Sequence, residues 1–469
     1  MSEDCLFLNI WRPNGTTSSD SLPVAVWIHG GGFTSGAGSD WHYDGTNFAT
    51  AHGMVVVTIN YRLGPLGNLC TDTVCTTGMN GNLDQIVSLE WVQSHIASFG
   101  GDPTAVSIFG ESAGALSVCM LSVSPRAAGL FHRAVLESGA CFGLWGPNNA
   151  TVGQLNGQAW LRSVNATSMD DLQNTTRFPS SVFEWGVTNT PTPSYGNPST
   201  TTGVLAVSAL SLYEAGSAHV TDIMIGSNTF DGLAPWLLKT LPSLPIDTAT
   251  YDYLMNQQLT LVGITNSTHQ AAVRAIYDAD TYYNGSLDAS IVAFTGDRDV
   301  VCPSLHLANL AAAAAQNTES AVQSAHTYVY GHLYGLDVSL VWGVLPADTY
   351  TQYPTWGPTY ASHFSEVYFV FNNSGGFEGV PFSADEQCLA DEIGGFWSSF
   401  MTNGKPATAR VRSCSNNALV PPWPQANTAN VSGMFLGMNM SVLASDYRAS
   451  KCATIYPNGI PVHGVIFNE

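Results

Sequence analysis

The pentapeptide Gly110-Glu111-Ser112-Ala113-Gly114 constrains this 469-residue chain more than any other stretch. The apolar run Ala105 to Phe109 before it reads as a strand, and Ala115 to Leu121 after it reads as a helix. Ser112 therefore falls on a strand-to-helix turn. Such a turn drives its central residue into a strained backbone conformation, and only small residues two positions either side let strand and helix approach closely enough for the serine Oγ to stand clear. Gly110 and Gly114 meet that need.

A second glycine string, His29-Gly30-Gly31-Gly32-Phe33, ends the apolar run Pro23 to Ile28. Without Cβ atoms, two amides can turn toward one point. Acyl transfer puts negative charge on a former carbonyl oxygen, and each N–H aimed at it lowers the barrier by roughly 3–4 kcal/mol. Gly31, Gly32 and Ala113 are the candidate oxyanion donors. Ser112 also opens a helix, where the macrodipole favours developing negative charge.

The rest of the chain alternates strands and helices, which implies an α/β fold with a mostly parallel sheet and helices on both faces. Strands are expected at Val24–Ile28, Val55–Asn60, Val106–Phe109, Ala134–Glu137, Ile223–Ile225 and Thr327–Tyr330. Helices are expected at Leu83–Ser98, Leu205–Ala215, Ser304–Ala315 and Ala384–Thr402, with a long surface loop over Val187–Gly203. No apolar run approaches the 18 or more residues of a membrane span. Length alone suggests several domains. A serine, acid and histidine set running from Ser112 to His363 spans so much of the chain that one large domain, 1–469, is the expectation.

With these residues in view, the chain resembles the type-B carboxylesterases and lipases, which include the cholinesterases. The elbow and glycine string carry the resemblance. So do Glu3-Asp4-Cys5-Leu6-Phe7-Leu8-Asn9-Ile10, Asn60-Tyr61-Arg62, Asn82-Leu83-Asp84-Gln85, Phe99-Gly100-Gly101-Asp102-Pro103 and Glu137-Ser138-Gly139, in family order. It covers nearly the whole chain and is weaker over about 150–205 and after about 405. It implies an α/β-hydrolase fold with large insertions and a serine esterase that needs no metal or cofactor.

A serine nucleophile needs a base, and the base an orienting acid, in the chain order Ser, acid, His. Of 12 histidines, His363 in Ala361-Ser362-His363-Phe364-Ser365-Glu366-Val367 matches the family's base, just before an aromatic-aliphatic helix. His332 in Tyr330-Gly331-His332-Leu333-Tyr334 is the rival. Asp231, in the loop after the strand Ile223–Ile225, stands where the family carries its acid, usually Glu. Asp is a methylene shorter, so that loop must sit roughly 1.5 Å closer to the imidazole. Asp299 is the competing acid.

By the same resemblance Glu111 would help stabilise the imidazolium, Ser138 would hydrogen-bond near the acid, and Trp145 would line the acyl pocket. Arg62 and Asp84 look like a structural ion pair. Cys70 and Cys75 could form a small local bridge. The family implies Cys302 with Cys452 and leaves Cys388 and Cys414 to pair, while Cys119 and Cys141 lie in elements that read as core. Cys5 pairs in the family with an upstream partner, closing the loop that carries the lid in lipases. The sequence starts at Met1-Ser2-Glu3, with no signal-peptide pattern. The expectation is that the N-terminal strands and lid loop have been lost, leaving Cys5 unpaired, a sheet edge uncovered and a more open gorge.

Only 10% of residues are charged, against about 25% in ordinary globular chains. Nine Asn-x-Ser/Thr sequons, at Asn14, Asn149, Asn165, Asn174, Asn266, Asn284, Asn372, Asn430 and Asn439, offer glycans as another source of solubility. Nine cysteines suggest an oxidising compartment. A net charge of −21 argues against nucleic acid and anionic membrane surfaces as partners. The sequence thus predicts a secreted esterase acting on neutral short-chain or aryl esters. The opposing readings are a lipase of the same family and a non-catalytic adhesion or scaffold protein.

Overall fold

Val24, Val26 and Ile28 belong to one hydrophobic cluster, while Ala25 and Trp27 between them belong to another. That two-residue alternation makes β2 (Leu22–Ile28) a strand buried on both faces, as a central parallel strand must be. The computed structural model describes residues 4–168, 170–173, 191–199, 203–232, 246–318, 320–332, 361–374, 381–407, 414, 419–427, 432–443 and 447–461. The other strands are β1 (Leu8–Trp11), β3 (Val55–Ile59), β4 (Gly101–Glu111), β5 (Arg133–Glu137), β6 (Asp222–Asn228), β7 (Ser324–Tyr330), β8 (Met434–Leu436) and β9 (Ser441–Val442).

They form one sheet in the order β1-β3-β2-β4-β5-β6-β7-β8-β9. Every pairing is parallel except β1 with β3 and β8 with β9, at the two edges. The six expected strands are all present, most of them longer at one or both ends. The short strands β8 and β9 at one end of the sheet were not foreseen, because two or three residues carry no readable period of their own.

Helices cover both faces. Asn80–His95, Ala113–Leu121 and Cys302–Ala314 contribute to the first cluster, and Thr46–His52, Val367–Phe371 and Ala384–Asn403 to the second. A third cluster, around Phe230, Tyr277 and Phe294, lies beyond the carboxyl end of β6. The helix expected over Leu205–Ala215 is shorter, Ala209–Glu214, and begins at a Ser208 side-chain cap. Part of the expected surface loop Val187–Gly203 is instead buried. Ser194 and Tyr195 are inside because their backbone pairs with Asn148. Sequons Asn174 and Asn430 lie outside the described residues.

Four disulfides join Cys70–Cys75, Cys119–Cys141, Cys302–Cys452 and Cys388–Cys414, leaving Cys5 as the free thiol. The Cys119–Cys141 bridge, which the sequence reading left unpaired, ties the helix after Ser112 to the segment after β5. Among the described residues no helix is long and apolar enough to cross a membrane.

Candidate active site

Ser112 follows the last residue of β4 with φ 55° and ψ −123°. A non-glycine residue held at positive φ stores on the order of 1–3 kcal/mol, and the surroundings must over-determine it. They do: a Cβ on Gly114 would lie 2.0 Å from the carbonyl oxygen of Ile28, and one on Gly110 2.5 Å from the same atom. Both glycines of the pentapeptide are thus demanded by the approach of β2. The Ser112 N–H donates to Glu137 on β5 at 2.9 Å, and its carbonyl accepts from Leu116 at 2.9 Å.

The glycine string runs beside this turn. A Cβ on Gly30 would fall 3.1 Å from Ser112 Cβ and 2.7 Å from Glu111 Oε2. Gly31 and Gly32 have φ of 102° and 62°, and Gly31 has Ser35 O where a Cβ would be, so neither tolerates a side chain cheaply. Thr34 and Ser35 N–H groups donate to the Gly31 carbonyl and close the loop. Among the described residues none accepts a hydrogen bond from the amides of Gly31, Gly32 or Ala113. His29 stays neutral: burial outweighs its hydrogen bond to Gly30 and pulls it down to about 4.

His363 is buried, and its Nδ1 lies 2.6 Å from Asp231 Oδ1. Asp231 Oδ2 accepts from the Asn228 backbone N–H at 2.6 Å, so both carboxylate oxygens are held. On the other side of the ring, Nε2 lies 3.1 Å from Glu111 Oε1 without a hydrogen bond, and no described residue bonds either atom. Trp145 meets the imidazole edge to face, ring centroids 5.8 Å apart. The rival positions are engaged elsewhere: Arg298 grips Asp299 through two contacts of 2.6 Å, and His332 Nε2 pairs with Glu386.

The site also contains two groups to which the sequence reading gave no role. Glu366 accepts from the Ser138 hydroxyl at 3.0 Å and from the Asn228 side chain at 2.5 Å, and the same amide donates to the Ser362 carbonyl. Ser138 therefore reaches the acid through Glu366 and Asn228 rather than directly. A signal was available: Glu366 is a lone carboxylate opening the apolar run Val367–Phe371. Burying a carboxylate among aromatics demands polar partners.

Glu111, Asp231 and Glu366 thus surround one imidazole, all about 1% exposed or less. Burial, with the charges of Glu366 and Asp231 added, pushes Glu111 up to about 8. Burial and the Asp231 charge push Glu366 up to about 7. Burial works against the imidazolium, but Glu111, the Asp231 hydrogen bond and charge, and Glu366 outweigh it and lift His363 to about 9. Among the described residues Cys388, Glu392 and Cys414 bring potential metal ligands within 4.8 Å of one another, but the two sulfurs are bonded to each other and neither is a thiolate.

A strained serine, an imidazole oriented through Nδ1, and, among the described residues, an unbonded Nε2 and amides without acceptors beside the serine make a set that can do nucleophilic acyl chemistry. Sequence comparison reaches the same chemistry. The sequence model of the Carboxylesterase family matches residues 1–455. Acetylcholinesterase 4 of Caenorhabditis briggsae is 31% identical over 460 aligned positions, covering 92% of this chain and 71% of that protein. Cocaine esterase of Homo sapiens is 31% identical over 438 positions, covering 90% of this chain and 70% of that protein. A 139-position stretch is 52% identical to the medium-chain fatty acyl-CoA hydrolase precursor of Anas platyrhynchos, covering 30% of this chain and 25% of that protein. With the mostly parallel sheet and a strand-to-helix serine in place, the chain belongs to the carboxylesterase family and is an α/β-hydrolase that cleaves carboxylic esters.

Proposed function

We propose that Ser112, His363 and Asp231 form the catalytic triad of this esterase. His363 takes the proton of Ser112 as Oγ attacks the ester carbonyl. Gly31, Gly32 and Ala113 donate to the oxyanion, and the imidazolium returns the proton to the departing alcohol. Water then repeats the sequence on the acyl-enzyme. Asp231 holds the imidazole with Nδ1 protonated, and Glu111, beside Nε2, stabilises the imidazolium through its charge. The observation that carries the reading is the 2.6 Å contact between His363 Nδ1 and Asp231. A fluorophosphonate probe is expected to label Ser112, and Ser112→Ala to lower turnover about a million-fold, as for triads that act as a unit. Labelling of another serine in folded protein would overturn the assignment.

The substrates we propose are neutral short-chain or aryl esters. The −21 charge repels anionic interfaces, and Trp145 against His363 narrows one side of the site. A lipase would show a jump in rate at the emulsion threshold; simple saturation is expected. A scaffold protein would not react with the probe at all. We also read the chain as one catalytic domain, because one sheet spans Leu8 to Val442. An extracellular glycoprotein fits the four disulfides and the nine sequons.

A further inference from the structure

The loop that carries Asp231 is held from two sides. Toward the imidazole it is sewn to the histidine loop: Phe230 N–H donates to the Ala361 carbonyl, and Ala361 N–H donates to Thr229 Oγ1, each at 2.9 Å. On the far side stands Arg448. Its Nη2 donates to the Thr229 carbonyl at 3.0 Å, and its Nη1 forms an ion pair with Asp297. Asp297 is buried and accepts a second hydrogen bond from the Tyr277 hydroxyl at 2.6 Å, with the Lys451 ammonium 4.0 Å away.

Asp297 directly follows Gly296, which is pressed against the acid itself. A Cβ on Gly296 would lie 2.6 Å from Gly232 N and 2.9 Å from the Asp231 carbonyl carbon. The helix Ala449–Ile455 that starts beside Arg448 is bridged through Cys452 to Cys302, the first residue of the helix Cys302–Ala314 that comes soon after Asp297 in the chain. Arg448 therefore spans a wall that is fixed at Asp297 and a loop whose aim matters at Asp231.

We propose that Arg448 is a positioning residue for the triad acid: its guanidinium locks the Thr229 carbonyl to Asp297 and thereby holds the Asp231 carboxylate on Nδ1 of His363. This rests on the triad reading above. A guanidinium suits the task because its donors are fixed in a plane and reach a carbonyl and a carboxylate together. An ammonium keeps the charge pair but gives up the second, geometrically fixed contact.

The test compares Arg448→Lys, Asp297→Asn and Asp231→Asn with the parent enzyme. Turnover is measured per fluorophosphonate-titratable site, so incomplete folding does not enter the rate. The far-downfield proton resonance of the His363–Asp231 hydrogen bond is recorded alongside. Arg448→Lys is expected to lower kcat about 10- to 100-fold with KM for a soluble aryl ester unchanged, the scale of a misplaced catalytic group, and to shift or broaden the resonance. Asp297→Asn, in which the amide oxygen still accepts from Arg448, is expected to do the same to a smaller degree and serves if Arg448→Lys does not fold. Parental turnover with an unshifted resonance in a folded variant overturns the proposal. If Asp231→Asn itself keeps parental turnover, the acid assignment has failed instead; if it loses turnover and the others do not, only the role of Arg448 falls.

Discussion

His363 Nδ1 lies 2.6 Å from Asp231 Oδ1 across 132 residues of chain, and that contact joins the ends of two different strand-following segments. The shorter acid side chain is accommodated because the loop after β6 is pinned to the histidine loop. Asn228 does much of the pinning, giving its backbone N–H to Asp231 and its side chain to Ser362 and Glu366. Asp231→Asn should preserve the fold and cut turnover roughly ten-thousand-fold by favouring the wrong tautomer. Asp299→Asn, which breaks the buried pair with Arg298, should lower the melting temperature while leaving kcat per active site nearly intact. The reverse pattern would move the acid to Asp299.

Glu111 is the largest of the influences that raise His363. Glu111→Gln removes that charge, so the imidazole should lose its proton at lower pH and the acid limb of kcat/KM should move down the pH axis. The free base must be neutral to accept the serine proton. A profile of kcat/KM against pH for both proteins checks this, and an unmoved or upward-shifted limb would be the contrary result.

Glu366 makes the opposite kind of contribution to stability. Its folded value, about 7, lies above the ordinary 4.5. The folded state therefore holds more protons than the unfolded one between these values, and this group's contribution falls as pH rises through that window. Glu366→Gln removes that pH-dependent loss. The variant should be more destabilised, relative to the parent, at pH about 5 than at pH about 8, measured as melting temperatures in matched buffers. Equal differences at the two pH values would contradict it.

Trp145→Ala opens the space beside the imidazole. Over a graded series of aryl esters, kcat/KM should rise relative to the parent mainly for bulkier acyl groups, by an amount set by about 1–3 kcal/mol per misfitting methylene. A uniform fall across the series would make Trp145 a packing residue only.

Sequon use should follow the amide chemistry, because the glycan joins the side-chain nitrogen. Asn284 is exposed on a turn, and Asn266 is exposed and caps its helix by accepting at Oδ1. Asn372 already donates from Nδ2 to Asp391 at 3.0 Å. In protein secreted from a eukaryotic host, peptide mass spectrometry after enzymatic deglycosylation in heavy water should mark Asn266 and Asn284 and leave Asn372 unlabelled. A labelled Asn372 would show that this hydrogen bond yields to modification.

Much of the site was legible in the sequence because its demands are local. A serine at positive φ needs small neighbours within two positions, and a position that is itself at positive φ or has no room for a Cβ must appear as glycine. Gly110, Gly114, Gly31 and Gly32 therefore carry their geometry in their identity. Strands β2 to β7 announced themselves by apolar runs long enough to be buried on both sides. Asn228 and Arg448 have no comparable local signature, and Glu366 has only its place at the head of an apolar run, which names no partner. A glutamate, an asparagine and an arginine are ordinary surface residues until folding surrounds them, and their partners lie far away: Ser138 is 228 residues from Glu366, and Thr229 is 219 residues from Arg448. The pairing of Cys119 with Cys141, the brief strands β8 and β9, and the diversion of Ser138 to Glu366 were likewise decided by which segments pack together. The nucleophile turn, the glycine string and the α/β alternation follow from local residue identity alone. The tertiary structure decided the polar network that aims the acid at the base, because buried hydrogen-bonding groups must find partners wherever packing supplies them.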